Sequence, residues 1–139
     1  MTRREAEIFT CFADTVVSPE PLLPPVTDTD ATAFLGLWLG LAPKLNAAGL
    51  RGAIAALDLA PLSLGYRHRL RKLTRADRSD VIQRLEKHKA PAVRQAIKAL
   101  KGIAFLSYYG DDSLMKRLGY DADANVARAR TLRAAEGRP

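Results

Sequence analysis

Two histidines, one cysteine and a pair of adjacent aspartates are the side chains with which this sequence could do chemistry near neutral pH. His68 could serve as a general base, but it stands among Arg67, Arg69, Arg71 and Lys72. Those cations disfavour its protonated form and supply no carboxylate to orient the ring. His68 and His88 lie in different segments, and neither has a second ligand three or four residues away, so the convergent ligand set of a metal site is missing. Cys11 is the only cysteine, which excludes an internal disulfide and a cysteine-based zinc site. A small packing role is expected for it. Asp111 and Asp112 are neighbours, and neighbours at a helix start do not face each other, so capping is their expected work. Gly49-Leu50-Arg51-Gly52 lacks the lysine and the spacing of a phosphate loop. No catalytic residue, metal ligand or cofactor-binding residue is assigned on these grounds. The chain is expected not to be an enzyme by itself.

Binding is the chemistry left. The run Tyr66-Arg67-His68-Arg69-Leu70-Arg71-Lys72-Leu73-Thr74-Arg75 is the densest basic patch. Arg67, Arg69, Arg71, Lys72 and Arg75 could hold phosphates, with Tyr66 stacking on a base. Leu70 and Leu73 keep helical spacing, however, so half of the segment should face inward. The second candidate is a set of aromatic residues: Trp38, Tyr66, Tyr108, Tyr109 and Tyr120. Each joins an apolar body to a polar tip, the combination enriched in protein interfaces. Tyr108 and Tyr109 are adjacent and cannot both point inward from one helix, so at least one should face a partner or a cleft.

The elements that must position these residues read as helices. Ala (23) and Leu (20) far outnumber Val (6) and Ile (5), a balance that suits helix over sheet. Thr2-Arg3-Arg4-Glu5 fits a capping box. The first helix should run to about Val17, with Ile8, Phe12 and Val16 on one face. Pro19, Pro21, Pro24 and Pro25 make Ser18 to Asp30 a stiff surface connector. Asp30 should cap a second helix, Ala31 to Leu41, that is apolar nearly all round. Such a helix is either central or covered by a partner. Pro43 should open a third helix with Leu50, Ile54 and Leu57 inward, and Pro61 should end it. Tyr66 to Leu73 reads as a short helix. Thr74, Asp77 and Asp80 should cap a fourth, about Arg75 to Lys87. Pro91 should open a fifth through Tyr109, and Asp111 or Asp112 a short sixth that Gly119 stops. Residues 122–139 are Ala- and Arg-rich with few large apolar anchors, a marginal helix or a tail that orders on a partner. The expectation is therefore a single-domain, all-α bundle of about five to six helices, residues 1–121, followed by a basic tail, residues 122–139.

Charge is unevenly placed. The chain has 139 residues and a net charge of +7, yet residues 1–65 carry 4 basic and 7 acidic side chains, and residues 66–139 carry 18 and 8. A polarised surface of this kind steers toward an acidic partner, nucleic acid or an anionic membrane. No apolar run reaches the length of a membrane-spanning helix. Arg3-Arg4 is followed at once by Glu5 and Glu7 rather than by an apolar run, so it does not read as an export signal. A cytoplasmic setting is expected, with co-export on a partner less favoured.

Taken in order, the features form a pattern. Thr2-Arg3-Arg4-Glu5 leads to Phe12-Ala13-Asp14-Thr15-Val16-Val17 and then Ser18-Pro19. Leu73-Thr74-Arg75-Ala76-Asp77-Arg78 precedes Val81-Ile82 and Leu85. Tyr108-Tyr109-Gly110-Asp111-Asp112 is followed by Leu118-Gly119-Tyr120-Asp121. Over roughly residues 2–121 this resembles the gluconate 2-dehydrogenase subunit 3 family, the small subunit of membrane-linked sugar and polyol dehydrogenases. The resemblance implies a noncatalytic helical partner of a large FAD-containing subunit of the glucose-methanol-choline oxidoreductase type, which it stabilises or helps mature. It implies FAD in the partner and no cofactor in this chain. The matching positions are Tyr108, Tyr109, Gly119, Tyr120 and Asp121, and no catalytic role attaches to them. Many family members begin with a twin-arginine export signal, which this sequence does not show.

Overall fold

The computed structural model describes residues 1–17, 21–135 and 137. Among them the chain is all-helical: α1 (Arg3–Val17), α2 (Ala31–Leu41), α3 (Lys44–Ser63), α4 (Arg75–Glu86), α5 (Pro91–Tyr109), α6 (Asp112–Arg117) and α7 (Ala122–Ala135). Two 3-10 turns interrupt the connections, at Val26–Asp28 and Leu70–Lys72.

Helix α1 begins where its capping box dictates. The Thr2 amide donates to the Glu5 carboxylate at 2.6 Å and the Glu5 amide to the Thr2 hydroxyl at 3.2 Å, so two otherwise unpaired helix-start donors are satisfied. Its buried face is Ile8, Phe9, Phe12, Ala13 and Val17. Around it pack α2, α3, α4 and α5. Leu35, Ile54, Val81, Leu100, Tyr108 and Leu114 close the core. Each large apolar side chain so covered contributes roughly 1.5–3 kcal/mol.

Helix ends follow local chemistry. The Thr74 hydroxyl accepts from the Asp77 amide at 3.2 Å and starts α4. Pro91 opens α5, where its missing amide costs nothing. The Asp111 carboxylate accepts from the Ser113 and Leu114 amides, both at 3.0 Å, and caps α6. Gly119 takes a φ of +79° after α6. The Gly119 amide then bonds the Lys116 carbonyl, and the Tyr120 amide the Met115 carbonyl at 2.8 Å, the paired bonds of a Schellman stop.

Five expectations are corrected. Asp30 precedes α2, but its carboxylate makes no capping bond. Its own amide donates instead to Asp111 at 3.2 Å, which ties the start of α2 to the start of α6. Pro61 lies inside α3, which runs on to Ser63. The stop falls at Gly65 (φ +91°), where the Tyr66 amide reaches back to the Pro61 carbonyl at 3.0 Å. Tyr66 to Leu73 is not a helix but a loop with one 3-10 turn, which buries Leu70. Asp80 lies a turn and a half into α4, too far to cap it, and accepts from Tyr66 and Arg84 instead. The proline connector is drawn inward, since Val26 is buried and the Pro24 carbonyl accepts from the Tyr108 hydroxyl at 2.6 Å. Ser18, Pro19 and Glu20 of that connector lie outside the described residues.

Residues 122–135 form the regular helix α7, with no buried residue. No helix among the described residues is long and apolar enough to cross a membrane.

Candidate partner-docking surface

The site is built on α2. Ala31, Leu35 and Leu39 recur every four residues and enter the core. One flank further round, Phe34, Leu37, Trp38 and Leu41 keep the same helical spacing and stay in solvent. Leu37 is 63% exposed, Trp38 43% and Leu41 78%. Leu45, at the start of α3, is 83% exposed as well. A helix apolar on two flanks has only one of them covered by the fold. The expectation that α2 is central or needs a cover is thus answered: one flank is in the core, and the other has no cover among the described residues.

At the N-terminal end of α2 the stripe runs into an acidic hollow of about 470 Å³. Phe34 forms one wall, and Asp28, Asp30, Asp111 and Asp112 supply four carboxylates. Among the described residues, no lysine or arginine lines it. The Asp111 carboxyl is held below its ordinary value, first by the Ser113 hydroxyl and then by amides of Leu114, Asp30 and Ser113, against the opposing effect of burial. That carboxylate is committed to structure. The carboxylates of Asp30 and Asp112 accept no hydrogen bond and make no ion pair among the described residues.

The five aromatic candidates do not form one patch. Trp38 belongs to the α2 stripe. Tyr109 is exposed and stacks on Phe105, ring centroids 6.2 Å apart. Phe105 and Tyr109 are each two residues from Ser107, which lines the acidic hollow, so they project about 160° away around α5. Tyr120 is exposed beside the α6–α7 junction, near Asp121 and Asp123. Tyr66 is half-buried, and its hydroxyl donates to Asp80 at 2.6 Å, a bond that raises its phenol pKa first, with burial second. It anchors its loop to α4. Tyr108 is 0% exposed, so it is core and offers no contact surface. One inward and one outward tyrosine is what adjacency on a helix requires.

The basic patch is similarly divided. Asp58, on α3, is 0% exposed. It accepts from Arg4 at 3.2 Å and from Arg71 at 3.2 Å, with Arg69 at 4.0 Å. Arg71 also bonds Glu7 at 2.8 Å. Arg75 donates to the Asp14 carbonyl at 2.7 Å. Arg69, Arg71 and Arg75 are therefore turned toward carboxylates and carbonyls of the same chain. Arg67 and Lys72 are exposed. Asp58 escaped the sequence reading, though a signal existed: it is seven residues from Arg51, on the same face as Ile54. Arg51 meets Glu5 at 2.9 Å, so α3 presents two charges to the start of α1.

The remaining chemistry is sparse. Cys11 is half-buried, and burial pushes its thiol pKa up, against nucleophilic use. His68 and His88 are both exposed. No group of three or more His, Cys, Asp or Glu among the described residues is placed to hold a metal ion. A shallow apolar groove of about 600 Å³ separates α3 from α5, floored by Leu57, Leu85, Ile97 and Leu100. Compared with protein families, curated proteins and solved structures, the chain matches none.

Proposed function

We propose that this chain is a noncatalytic small subunit that binds a large FAD-dependent oxidoreductase acting on an alcohol, sugar or sterol, and stabilises it or helps it mature. The observation that carries the binding role is the uncovered stripe Phe34, Leu37, Trp38 and Leu41. Such a patch on a small domain marks an interaction surface. The identity of the partner rests on the accessory-subunit resemblance, which stands on the quoted residues alone. In this reading FAD belongs to the partner.

Magnitudes say what the stripe can do. Covering its large side chains contributes roughly 1.5–3 kcal/mol each at full burial. They are already partly covered, so the gain is smaller. Association itself costs an estimated 4–15 kcal/mol. The stripe alone supports a weak complex, and further anchors must add to it. Tyr109 with Phe105, turned away from the acidic hollow around α5, and Tyr120, beside a hollow that shares Asp112 with the acidic one, are further exposed aromatic anchors, suited to a partner that reaches beyond α2. The alternative, a nucleic-acid-binding protein, draws less support. Three of its five cations are spent on Asp58, Glu7 and Asp14.

The test is a pull-down of the tagged full chain from its native cells. The reading expects a larger, yellow, flavin-bearing protein in the eluate. An eluate without flavin, from cells that express the chain, contradicts it.

A further inference from the structure

The stripe and the acidic hollow share Phe34, so one occupant can meet both. We infer that the partner segment covering α2 is an amphipathic helix lying antiparallel to it, with an arginine or lysine in its last turn seated among Asp28, Asp30 and Asp112. This rests on the reading that α2 docks a partner, and it specifies the chemistry of what docks.

Charge complementarity selects this occupant. The chain as a whole is basic, at +7, yet the hollow beside Phe34 is lined, among the described residues, by four carboxylates and no cation. Asp111 is occupied by its capping bonds, and Asp28 accepts from Thr27 at 3.2 Å. Asp30 and Asp112 are left to receive a donor from outside. A second copy of this chain is a poorer fit: each copy carries the same excess positive charge, and α2 itself has no basic residue in its last turn. Direction follows from electrostatics. Antiparallel helices oppose their dipoles, and a helix favours cations in its last turn. That turn falls beside the start of α2, where the hollow lies. The Phe34 ring adds a face for a guanidinium.

Trp38 is the only tryptophan and stands in the stripe, so its emission reports occupancy. The experiment titrates the full chain with two synthetic helical peptides that share one leucine stripe. One ends in two arginines and the other in two glutamates. The arginine peptide is expected to shift Trp38 emission to the blue and to bind about tenfold more tightly at low salt. That advantage should vanish in an Asp30→Asn, Asp112→Asn double variant, whose Trp38 still responds to the leucine stripe. Equal affinities for the two peptides overturn this inference while leaving partner docking in place. An eluate without flavoprotein overturns the partner's identity while leaving this inference in place. Two further results overturn it: a dimer by sedimentation whose dissociation on dilution shifts Trp38 emission to the red, or a red shift of Trp38 when residues 122–139 are removed. These would make a second copy or α7 the occupant.

Discussion

Asp58 shows how a single residue organises the connection between α3, α1 and the basic loop. Its carboxylate is fully covered, and three guanidiniums converge on it. Removing it leaves those arginines without their common partner, but each keeps some contact with water, which limits the penalty. Asp58→Ala is expected to lower stability by about 2–3 kcal/mol, below the 3–5 kcal/mol of a fully stranded buried charge. Arg4→Ala, which removes one half-exposed partner of three, should cost about 1 kcal/mol or less. Urea unfolding of the two variants checks the contrast, and equal losses would contradict it. Glu5 and Asp111 carry a pH dependence. Burial opposes ionisation of Glu5, but the Thr2 amide and Arg51 outweigh it and hold the carboxyl below its ordinary value. Asp111 is also depressed. A depressed carboxyl stabilises the fold above its unfolded pKa, and that contribution is lost as pH falls through the folded value. Stability should therefore be level near neutrality and drop below about pH 4. A Glu5→Gln, Asp111→Asn variant, already weaker at neutral pH, should lose less on acidification. Urea midpoints measured across that range decide it.

At the scale of elements, what was legible in the sequence depended on where the determining interaction lies. The starts of α1, α4 and α5 are set within a few residues, by Thr2 and Glu5, by Thr74, and by Pro91. These were readable, as was the Gly119 stop. The loop Tyr66 to Leu73 was not. It is held by Tyr66 on Asp80 and Arg71 on Asp58, ties to other helices that no local pattern announces. Asp30 looked like a cap because its type and place were right, but the cap nearby is Asp111, acting from far along the chain. The two flanks of α2 could be separated by spacing. Which of them the fold would leave bare could not, because both are equally apolar. Helix α7 is a test of independence between elements. None of its residues is buried, so deleting residues 122–139 should change the unfolding free energy of the rest by no more than about 0.5 kcal/mol. A larger loss would show that α7 packs on the bundle.

In the whole molecule the fold is complete on one side of α2 and, among the described residues, open on the other. The core around α1 closes without the stripe, so substituting the stripe should leave the bundle intact. Leu37 is exposed and lies outside the core, which makes Leu37→Asp the sharpest probe. The bland alternative is that the stripe is ordinary surface, since single exposed leucines are common. The decisive measurement is the flavin absorbance recovered with the tagged chain from its native cells, wild type beside Leu37→Asp. The account predicts a yellow eluate with the wild type and a loss of about tenfold or more with the variant, at an unchanged melting temperature. Equal flavin recovery from both, or none from either, would contradict it.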